Sequence, residues 1–514
     1  MIDLPRAKQL AAWLLLAYCV GLTAFGLLFV NLTVDDAYIT FRYARTLMET
    51  GQWSWNPGHV FQDVEAYTNP LYAALSIPIH AMGLPAVLPF KLLGLLTLCG
   101  IFGAMMKGLS PRRKLAASAF VCTNFYVFAH AFSGLETTTF LLLVLATLLA
   151  DDPDLDTGVF SALILLAPLV RPEGILVSTY ILYRQTVRGS WNRWTVVSLA
   201  GGLIYLAWRV RRYGLLLPNT FYAKMNGDSS FLANAFDERY LIATGIVSCL
   251  VLWRHRRHRL LALSLLLGFV LGNLTADMQM NYLHRYAYHL IVPMSFAAVH
   301  TLLQALPSPL LRQPGWQARL MLASMPLLGV LAALTLSGHQ VLVMLDYSRS
   351  VHLSHKALGK LLKACVPPGP ILALEDVGQM AYYSDHVILD YVGLANREIT
   401  DYLRGAKPLQ VPAPDAILLY NHRPDICISV RPYPGQEQLV RQFVTEGRYT
   451  CVPGRAWSEA LYLNALIRND SPYAAALTDV MRQSAAAPPI SALTRSATLM
   501  NAVRFESLRE ELQD

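Results

Sequence analysis

From Leu10 to Val30 the chain runs without a single charged residue, about the length of helix that crosses a bilayer. Further apolar segments follow at 86–106, 115–131, 136–150, 158–170, 174–187, 194–208, 240–253, 259–275, 287–305 and 320–337. These runs are too many and too continuous for soluble cores, whose elements must alternate apolar with polar faces. The fold class expected is a polytopic α-helical membrane protein with about 11 transmembrane helices, followed by a small extracytoplasmic α/β domain. The first run is too long for a signal h-region and lacks a small-residue cleavage site before Asn31, so it reads as a retained span. The stretch from Leu71 to Pro85, cut by Pro78 and Pro85, reads as a half-helix or surface segment.

A net charge of +8 would suit a nucleic-acid partner, but the basic residues sit in short loops between apolar runs, which is the positive-inside pattern. No nucleic acid is therefore expected. With the N-terminus in the cytoplasm, Lys107 with Arg112–Lys114, Arg184 with Arg188 and Arg193, Arg254–Arg259, and Arg312 with Arg319 all fall inside. The exceptions are an acidic inner loop, Asp151–Asp156, and three outer arginines, Arg209, Arg211 and Arg212. Either a span boundary lies elsewhere there or these arginines have work to do. The expected location is the plasma (inner) membrane, multi-pass, with the C-terminal part outside.

The division expected is 1–337 for the membrane catalytic domain and 338–514 for the α/β domain. The tail changes composition sharply: short β-like runs at Ile371–Leu374, Val387–Leu389 and Ala416–Leu419 alternate with helical patterns at Leu353–Lys363 and Gln436–Val444. Cys365, Cys427 and Cys451 lie in it, and an extracytoplasmic setting permits one disulfide, Cys427 with Cys451 being the pairing to test.

With that topology the unusual polar residues gather on the outer face. The first outer loop opens DDAYITFRYAR, with Asp35, Asp36, Arg42 and Arg45; Asp36, Thr40 and Tyr43 share helical spacing. Either acid could cap a helix starting near Ala37, or one could act as general base toward an acceptor hydroxyl while the other orients it or helps hold a cation. Trp53 and Trp55 suit interfacial anchoring or a sugar platform. Glu65, Tyr67 and Asn69 follow before the next apolar segment. Glu136 in SGLETTTF completes a capping box with Ser133 or turns to function. Arg171 and Glu173 in VRPEG read as an ion pair or as site residues. LLLPNTFYAK supplies Asn219, Tyr222 and Lys224; MNYLHRYAYHL, after Asp277, supplies His284, Arg285, Tyr286 and His289. Lys224 and His284 read equally well as side chains that snorkel to the interface. Ionisable groups crowded on one face of an apolar bundle mark function.

Transfer from a lipid-linked phosphate sugar needs such a layout: an apolar groove for the lipid, cations for the leaving phosphate, and a carboxylate for the acceptor hydroxyl. Arg42, Lys224, Arg285 and His284 are the candidate phosphate ligands; Glu65, Tyr67, Asn69, Glu136, Arg171, Glu173, Asn219, Tyr222 and Asp277 are the sugar or acceptor candidates. No Walker pattern or phosphate-cradling glycine loop appears. The residues fix no cofactor: two acids with a nearby Glu could hold a divalent metal or simply pair with arginines. A transporter of lipid-linked glycans is the alternative from another class, but it should carry internal repeats and mid-bilayer charges.

DDAYITFRYAR, WNPG, VEAYTNPLY, SGLETTTF, RPEG and LPNTFYAK, in this order, resemble the GT-C membrane glycosyltransferases of the cell-wall terminal arabinofuranosyltransferase type. LALEDVGQMAYYSDHVILDYVGL resembles the first βαβ segment of that family's outer domain. The resemblance implies a polyprenyl-phosphate sugar donor, with arabinofuranose leading and mannose or another lipid-linked sugar next. It implies a catalytic aspartate at Asp35 or Asp36 and an extracytoplasmic glycan or protein acceptor. The chain departs from the pattern at Ala66, Pro70, Tyr72 and Met278, where the family carries Gly, Phe, Trp and often Trp.

Overall fold

A computed structural model describes residues 30, 32–58, 61–124, 126–224, 231–254, 258–273, 281, 284–305, 351, 354–403, 422–429, 446–452, 456–458 and 461–486. The first and last expected spans, Asp277, Met278, the β-like run at 416–419 and the helical pattern at 436–444 lie outside the described residues.

Apolar continuity translates directly into helix. Leu88–Met106, Thr137–Leu149, Gly158–Val170, Gly174–Arg188, Arg193–Tyr213, Arg239–Arg254, Arg259–Gly268 and Arg285–Ala305 follow the apolar segments. Pro70–Ala81, with Pro78 inside it, occupies the proline-cut stretch. The 115–131 segment is two helices, Pro111–Thr123 and Tyr126–Phe132, bent by 67° across the break. Among the described residues two helices, Leu88–Met106 and Arg285–Ala305, are long and apolar enough to cross a membrane, or three if the bent pair is one span. The count of about eleven is thus not met there. Thr137–Leu149 and Gly158–Val170 have 13 residues each, a rise of about 20 Å against the ~30 Å of a hydrocarbon core.

Arg285–Ala305 is buried along nearly its whole length and packs against Thr137–Leu149 and Arg239–Arg254. Its first residue, Arg285, is thereby fixed at one end of the bundle. At the other end of Gly158–Val170 and Gly174–Arg188, Asp156 accepts from Arg188 at 3.1 Å and Asp152 pairs with Arg184. The acidic loop therefore neutralises the basic helix end on its own face. Gly174 makes the return turn possible, because a Cβ there would overlap the Ala167 backbone.

The C-terminal part forms a five-stranded sheet in the order β2-β1-β3-β7-β4, with β1 Ile371–Leu374, β2 Val387–Asp390, β3 Ile426–Ser429, β4 Tyr449–Val452 and β7 Asn464–Arg468, while β5 Ala456–Ser458 and β6 Leu461–Tyr462 pair as a separate two-stranded sheet. β1 runs parallel to β2 and β3, while β7 is antiparallel to β3 and β4. Helix Gln379–Ser384 crosses from β1 to β2, and a further helix covers 354–365. Cys427 and Cys451 both align with Leu466 from opposite sides of β7. Two strand spacings, about 9.5 Å, exceed disulfide reach, so the suggested Cys427–Cys451 bridge does not form.

One apolar cluster joins the two parts: Ile39, Tyr43, Trp55, Val64 and Tyr67 pack with Leu358, Leu374, Met380 and Ile388. The sheet is docked by a shared core, with helix Ala37–Thr50 between it and the bundle.

Candidate active site

The two adjacent acids of the first loop part company. Asp36 stands at the N-cap position of Ala37–Thr50, yet its side chain caps nothing. Its Oδ2 instead accepts from an Arg285 guanidinium N–H at 2.6 Å. Together they line a cleft with Lys224, Tyr286, Thr40, Asn69, Glu136, Arg171 and Thr220. Lys224 Nζ lies 4.9 Å from the Tyr286 ring centroid. Burial pushes the Asp36 carboxyl up, but Arg285 and Lys224 outweigh it and hold the group below the usual carboxylate range. Asp36 is therefore an ionised acceptor flanked by two cations.

A side-chain relay forms the floor beside it. Thr40 Oγ1 donates to Asn69 Oδ1 at 2.9 Å, Asn69 Nδ2 donates to Glu136 Oε2 at 2.6 Å, and Arg171 donates to Glu136 Oε1 at 2.5 Å. Arg171 also reaches Glu173 at 3.3 Å, and His289 Nε2 lies 3.5 Å from Glu173. Ser133 bonds the His130 carbonyl and the Leu135 amide, so the capping box suggested for Ser133 and Glu136 is absent. The carboxylate of Glu136 is occupied by Asn69 and Arg171 instead.

Asp35 faces the sheet. Its two carboxylate oxygens accept from the backbone N–H groups of Gly378 and Gln379, both at 2.7 Å. Gly378 is required here, since a Cβ would overlap Asp35. Burial pushes Asp35 up to about 7, with His355 opposing and Asp376 adding to the rise. His355 Nε2 lies 3.0 Å from Asp376 Oδ2.

Arg42 is also turned from the cleft. It donates to the carbonyls of Trp55 at 3.0 Å and His386 at 2.8 Å, and to that of Ala381. Its guanidinium lies 4.9 Å from the Trp55 ring centroid. Trp55 is 2 % exposed, which leaves no face for a sugar. Thus the phosphate ligand suggested at Arg42 and the platform suggested at Trp55 are both packed into the junction.

Glu65 is buried in a pair with Arg209, Nε to Oε2 2.6 Å, and accepts from Tyr205 at 2.7 Å. Arg212 pairs with Asp63. Helix Arg193–Tyr213 runs past the expected boundary, so these arginines are the helix end, neutralised by the first loop. Asn219 donates to the carbonyls of Gly393 and Leu394 at 2.8 and 3.0 Å. His284 lies 2.9 Å from Glu238 and does not line the cleft. Tyr67 lines it and accepts from Trp53 Nε1 at 3.0 Å. Tyr222 is half-buried beside Phe221, outside the cleft lining.

The structure thus gathers Asp36, Tyr67, Asn69, Glu136, Arg171, Lys224 and Arg285, with Glu173 behind Arg171. Sequence spacing names Thr40 and Tyr286 but gives them no role. Leu394, from the C-terminal part, closes the LALEDVGQMAYYSDHVILDYVGL motif, which gives it no role at the cleft. Among the described residues no group of three or more His, Cys, Asp or Glu could hold a metal ion.

ArnT from Cupriavidus metallidurans shares this fold. Its structure bound to undecaprenyl phosphate matches at 14% identity, over 89% of this chain and 98% of that chain, with a TM-score of 0.50. Its apo structure matches at 15% identity, over 92% and 99%, with the same TM-score. At that identity the likeness is one of fold alone. Residues 344–465 match the model of a domain of unknown function, DUF8728. No curated protein matches the chain.

Proposed function

We propose that this chain is a membrane glycosyltransferase that moves a sugar from a polyprenyl-phosphate donor to a hydroxyl of an extracytoplasmic glycan or protein. The observation that carries this reading is the Asp36–Arg285 contact of 2.6 Å in a cleft shared with Lys224. One ionised carboxylate and two cations are what the transfer requires. The acceptor oxygen bonds to the anomeric carbon as the bond from that carbon to the phosphate oxygen breaks. The acceptor proton passes to Asp36 and the polyprenyl phosphate leaves as an anion against Lys224 and Arg285.

The depressed basicity of Asp36 fits this sequence of events. In the empty cleft Arg285 and Lys224 stabilise its charge; a bound phosphate draws on the same cations and makes Asp36 a stronger base when the acceptor arrives. The Thr40–Asn69–Glu136–Arg171 relay offers the polar edges that a sugar's hydroxyls need. The undecaprenyl phosphate in the ArnT structure of like fold supports a polyprenyl-phosphate donor. Arabinofuranose as the sugar rests on the ordered motif resemblance from DDAYITFRYAR to LPNTFYAK, and mannose is the second choice. The same reading puts the membrane domain at 1–337, the α/β domain at 338–514 outside the inner membrane, and the N-terminus in the cytoplasm.

The test is transfer by purified protein in detergent from synthetic polyprenyl-phosphoryl arabinofuranose and its mannosyl counterpart to a panel of glycan acceptors. Transfer lost in Asp36→Asn, in protein that still folds and binds undecaprenyl phosphate, supports the reading. Phosphate-lipid binding without turnover from any donor moves the assignment to lipid-linked glycan transport.

A further inference from the structure

Among the described residues lining the cleft, one comes from the C-terminal part: Leu394. It sits in a turn, residues 391–396, that leaves β2 and leads into helix Arg397–Leu403. The turn is held far more firmly than a surface connection needs. Asp390 accepts from the backbone N–H groups of Val392 at 2.9 Å, Gly393 at 3.0 Å and Ala395 at 2.5 Å. Thr400 Oγ1 donates to the Gly393 carbonyl at 2.8 Å. Gly393 has a φ of 94°, and an added Cβ would overlap Ile399.

The remaining tie crosses between the two parts. Asn219 Nδ2 donates to the carbonyls of Gly393 and Leu394, and the Asn219 backbone N–H donates to the Glu65 carbonyl at 2.9 Å. Asn219 opens the short helix that carries Thr220 and Lys224 into the cleft. One residue therefore sets the distance between the turn and the lysine. Leu394 is itself only 4 % exposed, so its side chain is an inner wall and not a surface ornament.

We propose that Leu394 is the specificity-determining wall of this cleft, one that a transferred sugar must meet with C–H groups, and that Asp390 and Asn219 are positioning residues that hold it. The inference rests on the proposed glycosyl transfer. A hydroxyl facing Leu394 would lose its water without gaining a partner, and since arabinofuranose and mannopyranose each carry one hydroxymethyl arm, it is the wider six-membered ring with its further CHOH unit that would press against this wall. The turn thereby favours a compact pentose over a hexose. It also gives the domain of unknown function a task at the site rather than a purely packing role.

The experiment compares kcat/KM for polyprenyl-phosphoryl arabinofuranose and polyprenyl-phosphoryl mannose in full-length protein, alongside direct binding of undecaprenyl phosphate. Leu394→Ala is expected to shift the donor ratio toward the hexose by about tenfold, with undecaprenyl phosphate affinity within twofold of wild type. Leu394→Val should shift it less and serves if the alanine variant does not fold. Asn219→Ala should move the ratio in the same direction, whereas a merely structural role would lower both rates together. An unchanged ratio in variants that still transfer overturns the wall and leaves the transferase standing. Wild-type protein that binds undecaprenyl phosphate but transfers neither sugar overturns the transferase, and the wall with it.

Discussion

The cleft and the junction each receive one of two neighbouring aspartates, and they treat it differently. At the junction Asp35 and Arg42 are satisfied by main-chain groups: two amides for the carboxylate, and the carbonyls of Trp55, His386 and Ala381 for the guanidinium. In the cleft Asp36, Glu136 and Asn69 are satisfied by other side chains. A backbone partner cannot move without unfolding something. A side-chain partner can rotate and share its charge with a ligand. The junction therefore uses its charges to hold two parts together, and the cleft keeps its charges available for chemistry.

The sharpest way to break that comparison is to exchange the two acids' fates by mutation. Asp36→Asn should lower transfer by at least about 100-fold, or about 2.7 kcal/mol of barrier, with thermal stability close to wild type. A large loss of stability there instead would make Asp36 a structural acid. Arg42→Met should do the opposite, leaving three buried carbonyls short of a donor and lowering stability by about 3 kcal/mol. Limited proteolysis should show the C-terminal part released more readily, and unchanged cleavage kinetics would count against the junction role.

Asp35→Asn keeps one acceptor and loses the other, so a smaller penalty of about 1.5 kcal/mol is expected. Its effect on transfer should stay below about tenfold, in contrast to the loss at Asp36. Equal loss of activity in both variants would erase the distinction.

The smallest effect is a pH dependence. The Asp35 pKa of about 7 lies above its ordinary 3.8. Between those values the folded state binds more protons than the unfolded one, so stability falls as pH rises through that window. His355, raised above 6.5 chiefly by Asp376 against the opposing effect of burial, continues the trend on its alkaline side. The midpoint of thermal unfolding should thus be about 2 °C higher at pH 5.5 than at pH 8, and Asp35→Asn should flatten that slope. A midpoint that rises toward pH 8 would contradict the environment described for Asp35.

Much of the helical framework was legible because apolar continuity is local. The segments at 158–170, 194–208 and 287–305 needed no knowledge of their neighbours, and β1 and β2 were equally readable from their short apolar runs. Span number was less legible, since a 13-residue apolar helix inside a bundle resembles a span in sequence. Within the site, the motifs supplied Asn69, Glu136, Arg171, Lys224 and Arg285 as residue types at an expected face. They could not say that Arg42 turns to three carbonyls, or that the outer arginines Arg209 and Arg212 end a helix against Glu65 and Asp63.

By itself, then, the sequence determined where helices and strands form and which stretches carry unusual charge. Those properties depend on residues within one or two turns of each other. Only the tertiary structure decided the fate of Asp35 and Asp36, because their partners lie 343 and 249 positions away, at Gly378 and Arg285. The same holds for Leu394, the last residue of a legible motif but without a role until a turn of the sheet places it in the wall of a cleft built by the bundle. Local patterning sets the elements; the pairing of buried charges, which requires partners from remote elements, sets the site.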